Sequence, residues 1–190
     1  MTESLAKVSK TRDRILAAAM SLFYQHGVRA VGVERVVAES GVAKPTLYQH
    51  FASKDELVAA CLREHSAHWQ TNMAGVRTRR GNPGQRVAAV FDVLSRSYTS
   101  PDFRGCPFIN TAAEYPDAPG PVTDAIKAHR ADVRAMFSEL LSDLPASTRR
   151  RVVDQTVIVY DGAMVNAQHG DGARVARLAR QAAIRLASDR

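Results

Sequence analysis

Within the run Lys44-Pro45-Thr46-Leu47-Tyr48-Gln49-His50, and again at Lys54, the chain gathers side chains able to hydrogen-bond to nucleic acid. Tyr and His donate to phosphate oxygens, Gln matches the adenine edge in the major groove, and Lys reaches guanine or phosphate. Two other sets carry chemistry less completely. Cys61, His65 and His68 fall at i, i+4 and i+7, one helix face with soft-metal ligands, but a structural site needs a fourth ligand that is not local. Cys106, His129 and Glu114 could be assembled into a nucleophilic set, yet no glycine-rich phosphate loop, nucleophile elbow or H-E-x-x-H motif accompanies them. Cys106 could also sense redox state, although its neighbours Phe108 and Ile109 favour a buried, inert thiol. No catalytic residue, metal site or cofactor is expected.

The elements that must position the first set follow from backbone signals. Val33, Val36 and Val37 recur at helical spacing, and Gly41 after them can adopt the left-handed turn that ends a helix. A second helix starts at about Ala43, with Pro45 in its first turn, where a missing N–H costs nothing. Val42, Leu47 and Phe51 then point inward, leaving Lys44, Thr46, Tyr48, Gln49 and His50 outside. Two short helices around a glycine make a helix-turn-helix, whose second helix enters the major groove. Ser53 and Glu56 form an S-x-x-E capping box opening the next helix, and Lys54 at that start suits a phosphate oxygen.

Over roughly residues 10–58 the chain resembles the tetracycline-repressor (TetR) family of bacterial transcription regulators. The resemblance rests on Ile15, Leu16, Leu22, Phe23 and Gly27, then on Thr46-Leu47-Tyr48, Phe51, Ser53-Lys54 and Leu57. It departs at Gly32 and Ala43, where the family favours Ser or Thr and Ser, and at Pro45, where a small residue is common. The resemblance implies phosphate contacts from Tyr48, His50 and Lys54, and places Lys44, Thr46 and Gln49 near base edges. The Tyr48 ring could also pack on the first helix, which leaves its hydroxyl free to make contact. The family further implies a homodimer on a double-stranded DNA operator, repression, and release by a small-molecule effector; the alternative is an activator or corepressor-type regulator of the same fold.

Charge alone is a weaker guide. The 190 residues carry a net +7, but residues 1–57 hold eight Lys or Arg against six Asp or Glu, a net of +2. That near-balance disfavours an architectural DNA binder, which depends on phosphate neutralisation. Lys7, Lys10 and Arg12 make a basic arm that either touches the DNA backbone or is a solvated tail. Two cysteines give no disulfide framework, and no apolar run approaches 18 residues, so no membrane partner and a cytoplasmic location are expected.

The whole chain reads as helix, an all-α fold with a DNA-binding domain at 1–52 and an effector-binding and dimerisation domain at 53–190. Ser9 caps the first helix, and further helices are expected at about 33–40, 44–50, 53–73, 87–98, 106–113, 122–144, 148–168 and 171–188. The stretch from Gly105 to Glu114 resembles the sixth helix of one TetR subgroup, with its pattern G-C-x-F-x-N-x-x-x-E. By the same resemblance a pocket lies in the second domain. Its candidate walls are Trp69 and Met73, Phe91 and Tyr98, Phe108 and Asn110, and His129 and Val133, which suit a largely apolar effector. The last two helices are expected to pair with a second copy through Val159, Tyr160, Ala163, Met164 and Ala167 and through Val175, Leu178 and Ala182. The alternative is that these faces are internal core.

Overall fold

The computed structural model describes residues 2–115 and 119–188, with side chains from Lys10 onward. The side chains of Lys7 and Ser9 lie outside the described set. The described residues form helices α1 (Thr2–His26), α2 (Val33–Ser40), α3 (Lys44–His50), α4 (Lys54–Arg77), α5 (Pro83–Tyr98), α6 (Pro107–Glu114), α7 (Pro121–Leu140), α8 (Ala146–His169) and α9 (Gly172–Ser188), and no strand. Helix α1 starts earlier than the Ser9 cap, because Leu5, Ala6 and Lys7 are good helix formers with nothing to break them. Helix α7 ends at Leu140 rather than near 144. Residues 141–144 tighten into a turn, with the Leu144 N–H on the Leu141 carbonyl, because Pro145 disfavours a helical residue before it.

The chain divides into two compact units. The first comprises Met1–Ser66 and Pro107–Lys127, and the second Ala67–Cys106 and Ala128–Arg190. Helix α4 belongs to both. The first unit therefore includes α6, which lies far along the sequence from the helix-turn-helix.

In the first unit Ile15, Leu16, Ala19 and Phe23 of α1 are buried, as are Val36 of α2, Leu47 of α3 and Leu57 and Val58 of α4. Gly41 ends α2 in the left-handed region at φ 62°, its N–H bonded to the Val37 carbonyl. Arg14 then donates to the Ser40 carbonyl at 2.6 Å, satisfying an end carbonyl that α2 cannot satisfy itself. Gly32 and Ala43, two of the three family departures, cap α2 and α3 with no side-chain hydrogen bond. Pro45 sits in the first turn of α3. At α4, the Ser53 hydroxyl accepts from the Glu56 N–H at 3.1 Å.

In the second unit α9 packs on α5 and α8. The α5–α9 approach requires Gly172, since a Cβ there would collide with the backbone carbonyl of Tyr98. Asn82 and Gln85 cap α5 reciprocally, at 2.9 and 3.1 Å, inside a stretch whose Gly and Pro read only as a break. Ion pairs at 2.9 Å join α5 to the turn after α7 (Arg86–Asp143), α7 to α8 (Arg130–Asp161) and α9 to α5 (Arg180–Asp92).

Candidate nucleic-acid interface

Helix α3 divides its side chains sharply. Leu47 is fully buried and Phe51 follows it into the core, with the Arg12 guanidinium 5.3 Å from the Phe51 ring centre. On the other side Lys44, Tyr48 and Gln49 are exposed, while Thr46 and His50 are half-buried. A seven-residue helix has too few internal bonds to be stable alone, so this burial is what holds the exposed face in place.

Two of the lysines have partners of their own. Lys44 donates to Glu34 of α2 at 2.7 Å, and that bond holds the Glu34 carboxyl below its ordinary value and the Lys44 ammonium above it. Lys54 donates to the Val28 carbonyl at 2.7 Å. An ammonium carries three donors, so this bond does not exhaust Lys54.

The turn between α1 and α2 is held from α6. The Glu114 carboxylate accepts the N–H of Val28 at 3.0 Å and that of Arg29 at 2.6 Å. Gly27, at φ 84°, makes room for it, since a Cβ there would lie 2.9 Å from Glu114 Oε1. Next to it the Tyr115 hydroxyl donates to Asp55 at 2.8 Å. Burial and the Asp55 partner both raise the Tyr115 phenol above its ordinary value, so it keeps the donated proton. Sequence reasoning assigned Glu114 no structural role, because a bond joining residues 86 apart leaves no local pattern. The glutamate that closes G-C-x-F-x-N-x-x-x-E was the available signal.

The candidate pocket residues separate between the two units. Trp69, Met73, Phe91, Tyr98, His129 and Val133 are all buried in the second unit, where the Trp69 and His129 rings meet edge-on at 5.1 Å. Phe108 and Asn110 belong to the first. Asn110 is half-buried there beside a cavity of about 20 Å³ that Cys61 and His65 also line, room for about one water. Burial pushes the Cys61 thiol up to about 12, against the thiolate that metal binding needs. Among the described residues no group of three or more His, Cys, Asp or Glu is placed to hold a metal ion.

Helix α8 has two apolar faces. Tyr160, Met164 and Ala167 turn into the unit's own core, Tyr160 packing edge-on against Phe137 at 5.8 Å, so they are not available on the outer face. Ala163, although largely buried, joins Val159, Val175, Leu178 and Ala182 along an open groove between α8 and α9 of about 500 Å³. Ile158 and Val165, absent from the sequence-based set, stand exposed on α8, Ile158 to 70%. Their seven-residue spacing was the signal for this second stripe.

This architecture has counterparts among known proteins. Residues 15–61 match the family model described as bacterial regulatory proteins, tetR family. Residues 83–183 match the tetracyclin repressor-like C-terminal domain. A TetR-family transcriptional regulator from Streptomyces coelicolor superposes with a TM-score of 0.87 at 32% identity, covering 94% of this chain and 95% of that one. The transcriptional regulator LmrA of Bacillus subtilis is 26% identical over 78% of this chain and 80% of its own length. The transcriptional activator FasR of Mycolicibacterium smegmatis is 44% identical over 80 residues, 42% of this chain and only 36% of FasR. Two family models matched in chain order, and a solved relative aligned over nearly the whole length, place the chain in one group: it belongs to the TetR family of transcriptional regulators.

Proposed function

We propose that the protein is a ligand-responsive repressor that binds a pseudo-palindromic operator in double-stranded DNA as a homodimer and is released by a small-molecule effector. The carrying observation is α3, which exposes Lys44, Tyr48 and Gln49 over a buried Leu47. Tyr48, His50 and Lys54 hold phosphates, and Lys44, Thr46 and Gln49 read base edges. Such a reader acts in pairs, because half-sites on one DNA face lie one helical turn apart, about 34–36 Å. Exposed Ile158, Val165 and Leu178, with the groove beside them, supply an apolar face for the second copy.

We assign DNA reading to residues 1–52 and effector and partner binding to 53–190. The wall of the effector site is formed by Trp69, Met73, Phe91, Tyr98, His129 and Val133. Helix α4 belongs to both compact units, so an effector that favours one conformer in its C-terminal half biases its N-terminal half as well. A tenfold loss of operator affinity needs about 1.4 kcal/mol of differential effector binding. No helix among the described residues is long and apolar enough to cross a membrane, which suits a regulator working on DNA in the cytoplasm. The reading calls on no catalytic group.

A second reading, an activator on the same fold, draws on the name of FasR. Transcription from the selected operator in a purified system separates the two. Repression relieved by effector supports the first reading, and stimulation by the protein supports the second. The dimer is tested by sedimentation of the Leu178→Asp variant beside the unaltered chain. A dimer that becomes a folded monomer supports the α8–α9 face, and an unchanged dimer rejects it.

A further inference from the structure

Three buried polar atoms in the second unit have no hydrogen-bond partner: Trp69 Nε1 on α4, Tyr98 Oη on α5 and Thr156 Oγ1 on α8. Their residues are 9%, 4% and 0% exposed. Buried polar groups in native proteins are nearly always bonded, so an orphan asks for an explanation, and three in one core ask for a common one. Tyr160 lies one helical turn beyond Thr156, and its phenol feels Cys106, Tyr98 and the Trp69 N–H, although no bond of normal geometry forms with the indole. Tyr98 feels the same Cys106. Phe137 packs edge-on against Tyr160 at 5.8 Å, and the same unit buries Met73, Phe91 and Met136 completely.

The chemistry of the orphans limits what can satisfy them. An indole N–H only donates, and each hydroxyl donates one bond besides accepting. Burial raises the phenols of both Tyr98 and Tyr160, so both remain neutral donors at pH 7. Asp161, the acid that acts on the Tyr160 phenol, is paired with Arg130 at 2.9 Å. An anion would find donors but no unpaired cation among these groups, and desolvating it would cost more than they return.

We propose that Trp69, Tyr98 and Thr156 are the recognition element of the effector site, and that the effector is an uncharged, largely apolar molecule presenting carbonyl-type acceptors to them. This rests on the reading of the chain as ligand-responsive. It goes further by naming the chemical class and the three atoms that select it. A hydrocarbon of the same shape would leave the donors unsatisfied, and each restored bond favours the carbonyl compound by about tenfold.

The test uses the full chain labelled with ¹⁵N, in which Trp69 is the only tryptophan and gives a single indole N–H resonance. Cyclic ketones from cyclohexanone to cyclododecanone are titrated, each beside its cycloalkane and the matching cycloalkane carboxylate. At least one ketone is expected to move the Trp69 indole resonance and to bind about tenfold tighter than its cycloalkane, with the carboxylate weaker than either. Tyr98→Phe and Thr156→Val, which remove orphans without changing shape, are expected to melt at the same or a higher temperature while losing that preference. A purely structural pair of hydroxyls would instead lower the melting temperature when removed.

The proposal is overturned if no ketone moves the indole, if cycloalkanes bind as well as ketones, or if both variants melt lower, as they would if ordered water joined the hydroxyls. Operator binding by the unliganded protein is measured on the same preparation. If it persists while ketone preference is absent, this inference fails and the DNA-reading assignment stands. If a ketone binds as expected but leaves operator affinity unchanged, the site is supported and the ligand-responsive reading fails.

Discussion

The Glu114 carboxylate accepts the backbone N–H of Val28 at 3.0 Å, tying the end of α6 to the turn that precedes the helix-turn-helix. The same carboxylate takes the Arg29 N–H, while Lys54 takes the Val28 carbonyl, so both polar groups of Val28 are held. Charge-assisted bonds to backbone N–H groups are among the stronger hydrogen bonds a protein makes. Glu114→Ala is expected to cost about 1–3 kcal/mol of stability and to weaken operator binding, while Glu114→Gln, which keeps an acceptor, costs less. Thermal melts and operator isotherms on the same samples check this, and an Ala variant as stable as the parent would remove Glu114 from this role.

Core and face of α3 should separate in experiment. Leu47→Ala is expected to destabilise by about 2–5 kcal/mol through the cavity it leaves. Tyr48→Phe should leave the melting temperature within error yet weaken operator binding several-fold, equally across operator sequences, since a phosphate contact carries no base preference. Binding isotherms on several related duplexes decide between a uniform loss and a selective one.

The Lys44–Glu34 pair is a restraint on a DNA-reading side chain in the free protein. Glu34→Gln should release Lys44 and tighten operator binding by a few-fold at low salt, an effect that fades as salt screens it. In a Lys44→Ala background the same substitution should do much less. A double-mutant cycle on operator affinity measures the coupling, and strict additivity would show that Lys44 does not use its freedom to reach DNA.

Alkaline pH should loosen the core. Burial raises the Cys61 thiol to about 12 and moves the Tyr98 and Tyr160 phenols upward as well. The folded chain thus keeps protons that the unfolded chain releases, so this stabilisation is complete below about pH 9 and is lost as pH rises through the folded values. Each such group contributes a slope of about 1.4 kcal/mol per pH unit between its two values. Urea melts from pH 8 to 11 should show falling stability, and Cys61→Ala should flatten the first part of the fall; a slope unchanged by that substitution would remove Cys61 as its cause.

What was legible in the sequence follows from how local each signal is. The limits of α2 and α3 could be read because Gly41 and Pro45 act on the backbone where they stand. Burial of Leu47 and Phe51 followed from the same phase. The Glu114 clamp and the placing of α6 with the first unit depend on contacts across the chain, and no periodicity announces them. On α8 the positions were apolar as expected, but two faces compete, and only packing shows that Tyr160 goes inward and Ile158 outward. The orphan atoms of Trp69, Tyr98 and Thr156 lie on three separate helices, so their shared lack of partners has no sequence signature.

Selection from randomised duplex DNA at physiological salt, run with the unaltered chain and with Gln49→Ala, is the most direct test of a dimeric, base-reading α3. The expected result is an enriched inverted repeat with half-sites one helical turn apart, and an altered base at one symmetric position for Gln49→Ala. Recovery of no repeat, or binding no tighter than to unselected DNA, would contradict a sequence-specific regulator. An identical repeat from both proteins would contradict base reading by Gln49.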